Sequence, residues 1–335
     1  MTSGQSPVHP TNLQDEKDIM KLSWLLGSRP APLQGFTPAV PRDGVPAAYE
    51  HLRQLQALAN RHGDRAAGTS GYEAAARYVE RQLADAGYRS TRQYFTFRDD
   101  GEEIGTFNIL AETVSGRDDH VIMLGAHLDG VPGTAAINDN GSGVAAVLEA
   151  AKAVSRLDRI DHKVRFAWWG AEEFDKSYGS RHYVKDLAKN DPERLRNIAS
   201  YLNVDMIASP NPIIAVYDAR DTDHDLKIPE GSTQIMDLFT GYFDSLHQAW
   251  TTTDWDYDSD QVAFAKKGVA VGGLYSGDDE KKSRKEALLF GGQAKEKCDP
   301  HYHKPGDDLR NVNLDALALM TDALVHAAVR LAGVP

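Results

Sequence analysis

The chain has 335 residues, 41% of them hydrophobic, and a formal net charge of −12. That length suffices for one large core or a core with a small appendage. The acidic balance argues against nucleic acid and anionic membrane as partners, since both need basic surface. The single cysteine, Cys298, excludes a disulfide framework within the chain and a thiolate zinc site.

Residues 1–45 include Pro7, Pro10, Pro30, Pro32 and Pro41 and show little periodicity, so they read as an N-terminal extension, with one domain over residues 46–335. The opening stretch has no basic segment followed by an apolar one. No stretch reaches the roughly 18 apolar residues of a membrane span. The chain is therefore expected in the cytoplasm. From Ala47 the pattern turns helical, with Leu52, Leu55 and Leu58 at helical spacing. A second amphipathic helix carries Ala76, Val79, Leu83 and Ala86, and Gly87 stops it. Two strands follow, RSTRQYFTF and GTFNILAETV. HVIMLGAH and KVRFAWWGA are short apolar runs, as expected of buried strands in a parallel sheet, and SGVAAVLEAAKAV between them is a helix. RHYVKDL begins a helix and IASYLNVDMI is a strand. Helices near STQIMDLFTGYFDSL and SDQVAFAKKG, a strand VAVGGLY and a last helix over LDALALMTDALVHAAVRLAG complete the chain. This alternation predicts an α/β fold, a three-layer sandwich with a mainly parallel mixed sheet flanked by helices.

The polar residues of interest fall where buried strands end. His127 and Asp129 follow VIMLGA, Glu172 and Glu173 follow VRFAWWGA, and Asp205 ends SYLNV. Asp139 sits in the Gly-rich turn INDNGSG that opens a helix. Ligands of open α/β sheets bind outside the carboxyl ends of the strands. Each piece alone is ordinary: His-x-Asp is commonly a surface loop, a Glu pair a solvated helix start, and Asn-Asp-Asn-Gly a turn. Their coincidence is not ordinary. Carboxylates gathered at one sheet end repel one another and lose solvent, which a divalent cation offsets. Nitrogen and oxygen ligands together suit zinc.

The segments AHLDG, INDNGSGVAAVLE, RFAWWGAEE, LNVDMIASPNP, SDQVAF, VAVGGLYSG and DPHYHKPGDDL resemble, in sequence, order and spacing, the M28 family of zinc aminopeptidases, in particular the compact Streptomyces type. The resemblance runs from about residue 47 to the C-terminus. It implies two zinc ions held by His127, Asp139, Glu173, Asp205 and His303, with Asp139 bridging. It implies Glu172 as general base, Tyr302 as a hydroxyl that polarises the scissile carbonyl, and Asp129 as the residue that steadies His127. It also implies a peptide or small amide as substrate, and loss of N-terminal residues as the reaction.

Four departures stand out. Relatives carry a Cys pair forming a small disulfide where this chain has His301 and Gly306, which removes a need for an oxidising compartment. Phe174-Asp175-Lys176-Ser177 replaces an apolar, Gly-rich stretch, and Gln261 stands where His is frequent. Asp258 occupies the position of an Arg implicated in holding the substrate's amino end, which makes Asp258 a candidate substrate-binding residue favouring a cationic group. Two other readings share the fold: a one-zinc, glutaminyl-cyclase-like acyltransferase, and a non-catalytic binding module. Five intact ligand positions favour the hydrolase.

Overall fold

The computed structural model describes residues 46–174, 177–221, 226–254 and 259–333. The expected extension over residues 1–45 lies outside them, as do Asp175, Lys176 and Asp258. Helix α1 (Ala47–His62) buries Leu52, Leu55 and Ala59 and ends at Gly63. Helix α2 (Ser70–Asp85) starts at Thr69, whose hydroxyl accepts from the Tyr72 amide, and buries the stripe Tyr72, Ala75, Ala76, Val79 and Leu83. Strands β1 (Thr91–Asp99) and β2 (Glu102–Glu112) form a hairpin. Asp100 and Gly101, at φ +45° and +85°, make its two-residue turn, the backbone that matches strand twist.

Strand β3 (Arg117–His127) precedes helix α3 (Gly143–Val154), and strand β4 (His162–Trp169) precedes helices α4 (Tyr178–Asn190) and α5 (Pro192–Arg196). Then come β5 (Ile198–Val204), β6 (Ala215–Tyr217), α6 (Ser232–Ser245), β7 (Thr251–Thr253), α7 (Gln261–Ala265), β8 (Ala270–Tyr275), α8 (Arg284–Phe290) and α9 (Leu314–Leu331). The sheet has eight strands in the order β1-β2-β4-β3-β5-β8-β6-β7. The centre, β4-β3-β5-β8, is parallel. The hairpin joins β4 antiparallel, and β6 joins β8 antiparallel. The sheet is thus mixed with a parallel heart, as the sequence predicts.

Both faces are covered. One core packs α1, α2, α3, α6 and α9 against Ile122, Leu124, Phe166, Trp168, Leu202 and Val204. The other packs α4 and α7 against Met123, Trp169, Tyr201 and Val271. Alternate strand residues therefore point to opposite cores, which is why the central strands read as continuous apolar runs. Among the described residues no helix is long and apolar enough to cross a membrane.

Candidate metal centre

The carboxyl ends of β3, β4 and β5 lie side by side and deliver His127, the pair Glu172–Glu173, and Asp205 to one place. The turn Ile137–Ser142 before α3 brings Asp139, whose peptide bond to Asn140 is cis. The loop between α8 and α9 brings Tyr302 and His303. His127 Nε2 lies 3.3 Å from Asp139 Oδ1 and 3.2 Å from Asp205 Oδ1. His303 Nε2 lies 3.1 Å from Asp139 Oδ2 and 3.0 Å from Glu173 Oε2. The five predicted ligands thus form two triads, His127–Asp139–Asp205 and Asp139–Glu173–His303, with Asp139 in both.

This arrangement fits cations. The Nε2 of each imidazole faces two carboxylate oxygens, although one N–H serves a single acceptor well. Glu173 Oε1 is buried with no hydrogen-bond partner, a costly state unless something positive meets it. Nitrogen with carboxylate oxygens is the donor set of zinc. The acids also crowd one another. Burial, with Asp205, Asp260 and Glu173 nearby, pushes Glu172 well above the usual carboxylate range despite His127. Burial and Asp139 push Glu173 up to about 8. A bound cation would reverse both shifts.

The residues behind the ligands fix them. His127 Nδ1 is 3.1 Å from the Asp129 carbonyl oxygen and 3.8 Å from its carboxylate. That carboxylate accepts the Glu172 and Glu173 amides at 3.1 and 3.3 Å. Asp129 therefore reaches His127 mainly through its main chain, and its side chain ties the exit of β3 to that of β4. Ser259 Oγ donates to Asp205 Oδ2 at 2.6 Å, and Ser177 Oγ donates to Glu172 Oε1 at 3.0 Å. Asp307 accepts the Asn138 and Asp139 amides at 2.7 and 3.0 Å. Tyr302 stacks on the His303 ring, 3.8 Å between centroids. His301 and Gly306 remain neighbours, since a Cβ on Gly306 would lie 2.2 Å from His301 Nδ1. The His301 imidazole fills the space beside Gly306.

A cavity of about 500 Å³ opens over the two triads. Glu172, Tyr302, Met206, Tyr217, Tyr275 and Asp278 are among its walls. Asp258 falls outside the described residues, while Asp254 and Ser259 on either side of it line the cavity. Sequence reasoning missed Arg65, Ser259, Asp299 and Asp307. Ser259, Asp307 and Asp299, which accepts from Asn138 Nδ2 at 2.7 Å, sit inside recognised motifs, and nothing in those motifs separates them from loop residues.

Residues 108–328 match Peptidase family M28. The chain belongs to that family. An aminopeptidase of Pseudomonas aeruginosa is 44% identical over 219 residues, 65% of this chain and 40% of that protein. The leupeptin-inactivating enzyme 1 of Streptomyces exfoliatus is 40% identical over 303 residues, 89% of this chain and 64% of that protein. The chain thus spans 40% to 64% of the length of these M28 relatives. In fold, the M28 domain matches the zinc aminopeptidase of Bacillus subtilis with a TM-score of 0.68 at 14% identity, covering 84% of this chain and 94% of that one. It also matches the glutaminyl cyclase of Porphyromonas gingivalis with a TM-score of 0.65 at 17% identity, covering 87% and 98%. Membership of the family makes zinc the expected metal.

Proposed function

We propose that the protein is a dizinc aminopeptidase that removes N-terminal residues from peptides or aminoacyl amides. The observation that carries this reading is Asp139, which offers one oxygen to each of two His-carboxylate triads. His127, Asp139 and Asp205 would hold one ion, and Asp139, Glu173 and His303 the other. Zinc, when bound, supplies Lewis acidity that polarises the carbonyl and acidifies water. The chain's own groups do the rest. Glu172 takes a proton from the attacking water and returns it to the leaving amine. Its Oε1 is engaged by Ser177, which leaves Oε2 for that proton. The Tyr302 hydroxyl donates to the carbonyl oxygen as negative charge grows there. Asp129 holds Glu172 and Glu173 in their different directions through their amides. The acids around the cavity favour the substrate's ammonium group.

Chelation should abolish hydrolysis of aminoacyl amides and zinc should restore it, while N-acylated controls stay intact. Cyclisation of N-terminal glutaminyl peptides with one zinc per chain would instead support the acyltransferase reading. The single cysteine and the His301–Gly306 pair support a further proposal, that the domain works in a reducing compartment such as the cytoplasm.

A further inference from the structure

Arg65 lies between α1 and α2 and is completely buried. Its guanidinium donates to three main-chain carbonyls: Nε to Ala135 at 3.1 Å, and the two terminal nitrogens to Leu128 and Ala136. Leu128 stands between His127 and Asp129 at the exit of β3. Ala135 and Ala136 lead into the turn that carries Asp139. Ala136 has φ +54°, a left-handed conformation that is unfavourable for a non-glycine residue. One planar side chain therefore fastens the strand that presents His127 to the turn that presents Asp139, and holds a strained residue in place between them. Burying a guanidinium is expensive. Here Asp307, Asp129, Asp139 and Glu173 lie near enough to supply counter-charge.

We propose that Arg65 is a positioning residue of the metal centre: by clamping the carbonyls of Leu128, Ala135 and Ala136 it holds His127 and Asp139 at the separation where they share one cation. The inference rests on the metal-dependent reading above and assigns no contact with substrate. Lysine keeps the charge but lacks the planar fork that reaches three carbonyls, so charge alone does not replace it.

The test is zinc affinity of the full chain, measured by competition with a chromophoric chelator, for wild type, Arg65→Lys, Arg65→Met and Arg165→Met. Arg165, on β4, is also a buried guanidinium, bound to Glu112 of β2 and Tyr183 of α4, so its removal reports general damage to the core. Both Arg65 variants should bind zinc about 10–100-fold more weakly, the range for groups that orient metal ligands. Arg165→Met should lose melting temperature and keep its zinc affinity. The cobalt-loaded Arg65→Lys protein should show an altered d–d absorption band. If Arg65→Met does not fold, Arg65→Lys decides. Zinc affinity in Arg65→Lys within about twofold of wild type, or an equal loss in Arg165→Met, overturns the proposal. A wild-type protein that binds no zinc in the same titration overturns the reading beneath it instead.

Discussion

Oδ2 of Asp139 lies 3.1 Å from Nε2 of His303, while Oδ1 of the same carboxylate faces His127 at 3.3 Å. One carboxylate therefore belongs to two ligand sets. Asp139→Asn replaces one oxygen by a donor that repels a cation, so it should weaken both sites at once. Glu173→Gln touches one triad and should release one metal while the other stays. Metal analysis of the two dialysed variants checks this; equal retention in both would show that Asp139 does not bridge.

Glu172 and Glu173 are adjacent, yet they part company. Glu173 reaches His303, and Glu172 reaches Ser177 and the open cavity. Glu172→Gln should keep both metals and the fold while kcat falls by roughly 10²–10⁴, the usual contribution of a positioned acid or base. KM should change little. Zinc loss from Glu172→Gln comparable to that from Glu173→Gln would mean that the two roles are wrongly divided.

Metal removal should make stability depend on pH in a definite direction. Without a cation, burial and Asp139 push Glu173 up to about 8. Burial opposes a similar rise in His303, but its hydrogen bonds to Asp139 and Glu173 lift it to about 10. Between about pH 6.5 and 8 the folded form then binds more protons than the unfolded one, so stability falls as pH rises. Asp139 adds no slope there. Burial pushes it up and its two imidazoles pull it down, to about 2. The chelated protein should melt at a lower temperature at pH 8 than at pH 6.5, and zinc should raise the melting temperature more at pH 8. A flat chelated profile would contradict the crowding of these acids.

Asp254 and Asp278 line the cavity together with Tyr217 and Tyr275, and the described lining sets one guanidinium, Arg181, against its acids. An aliphatic stem with a cationic tip suits such walls. Lysyl and arginyl amides should exceed leucyl amide in kcat/KM by on the order of tenfold, about 1.4 kcal/mol. Asp278→Asn and Asp254→Asn should shrink that ratio. A native preference for leucyl amide, or a ratio unmoved by both substitutions, would remove this assignment of the substrate.

The strand ends were legible because each buried run stops abruptly at a polar group: VIMLGA at His127, VRFAWWGA before Glu172, SYLNV at Asp205. A parallel strand buried on both faces has no alternation to blur that boundary. The edge was less legible. β6 and β7 are three residues each, too short for any period to show. α8 has a capping box at Ser283 and Glu286 but no buried residue, so it lacks the apolar stripe that reveals a helix. Arg65 was hidden for a different reason. In DRAAGTSG it looks like a solvated turn residue, and its partners are main-chain carbonyls, which leave no mark on the sequence. Asp307 was hidden in the same way, since amide donors can come from any residue.

The most direct test of the account is a zinc titration of the chelated chain, followed in parallel by bound metal and by hydrolysis of an aminoacyl amide. Two zinc ions per chain should bind in wild type and in Glu172→Gln, with activity returning in wild type alone. Full activity in the metal-free protein, or binding of a single zinc that Asp139→Asn leaves in place, would contradict it.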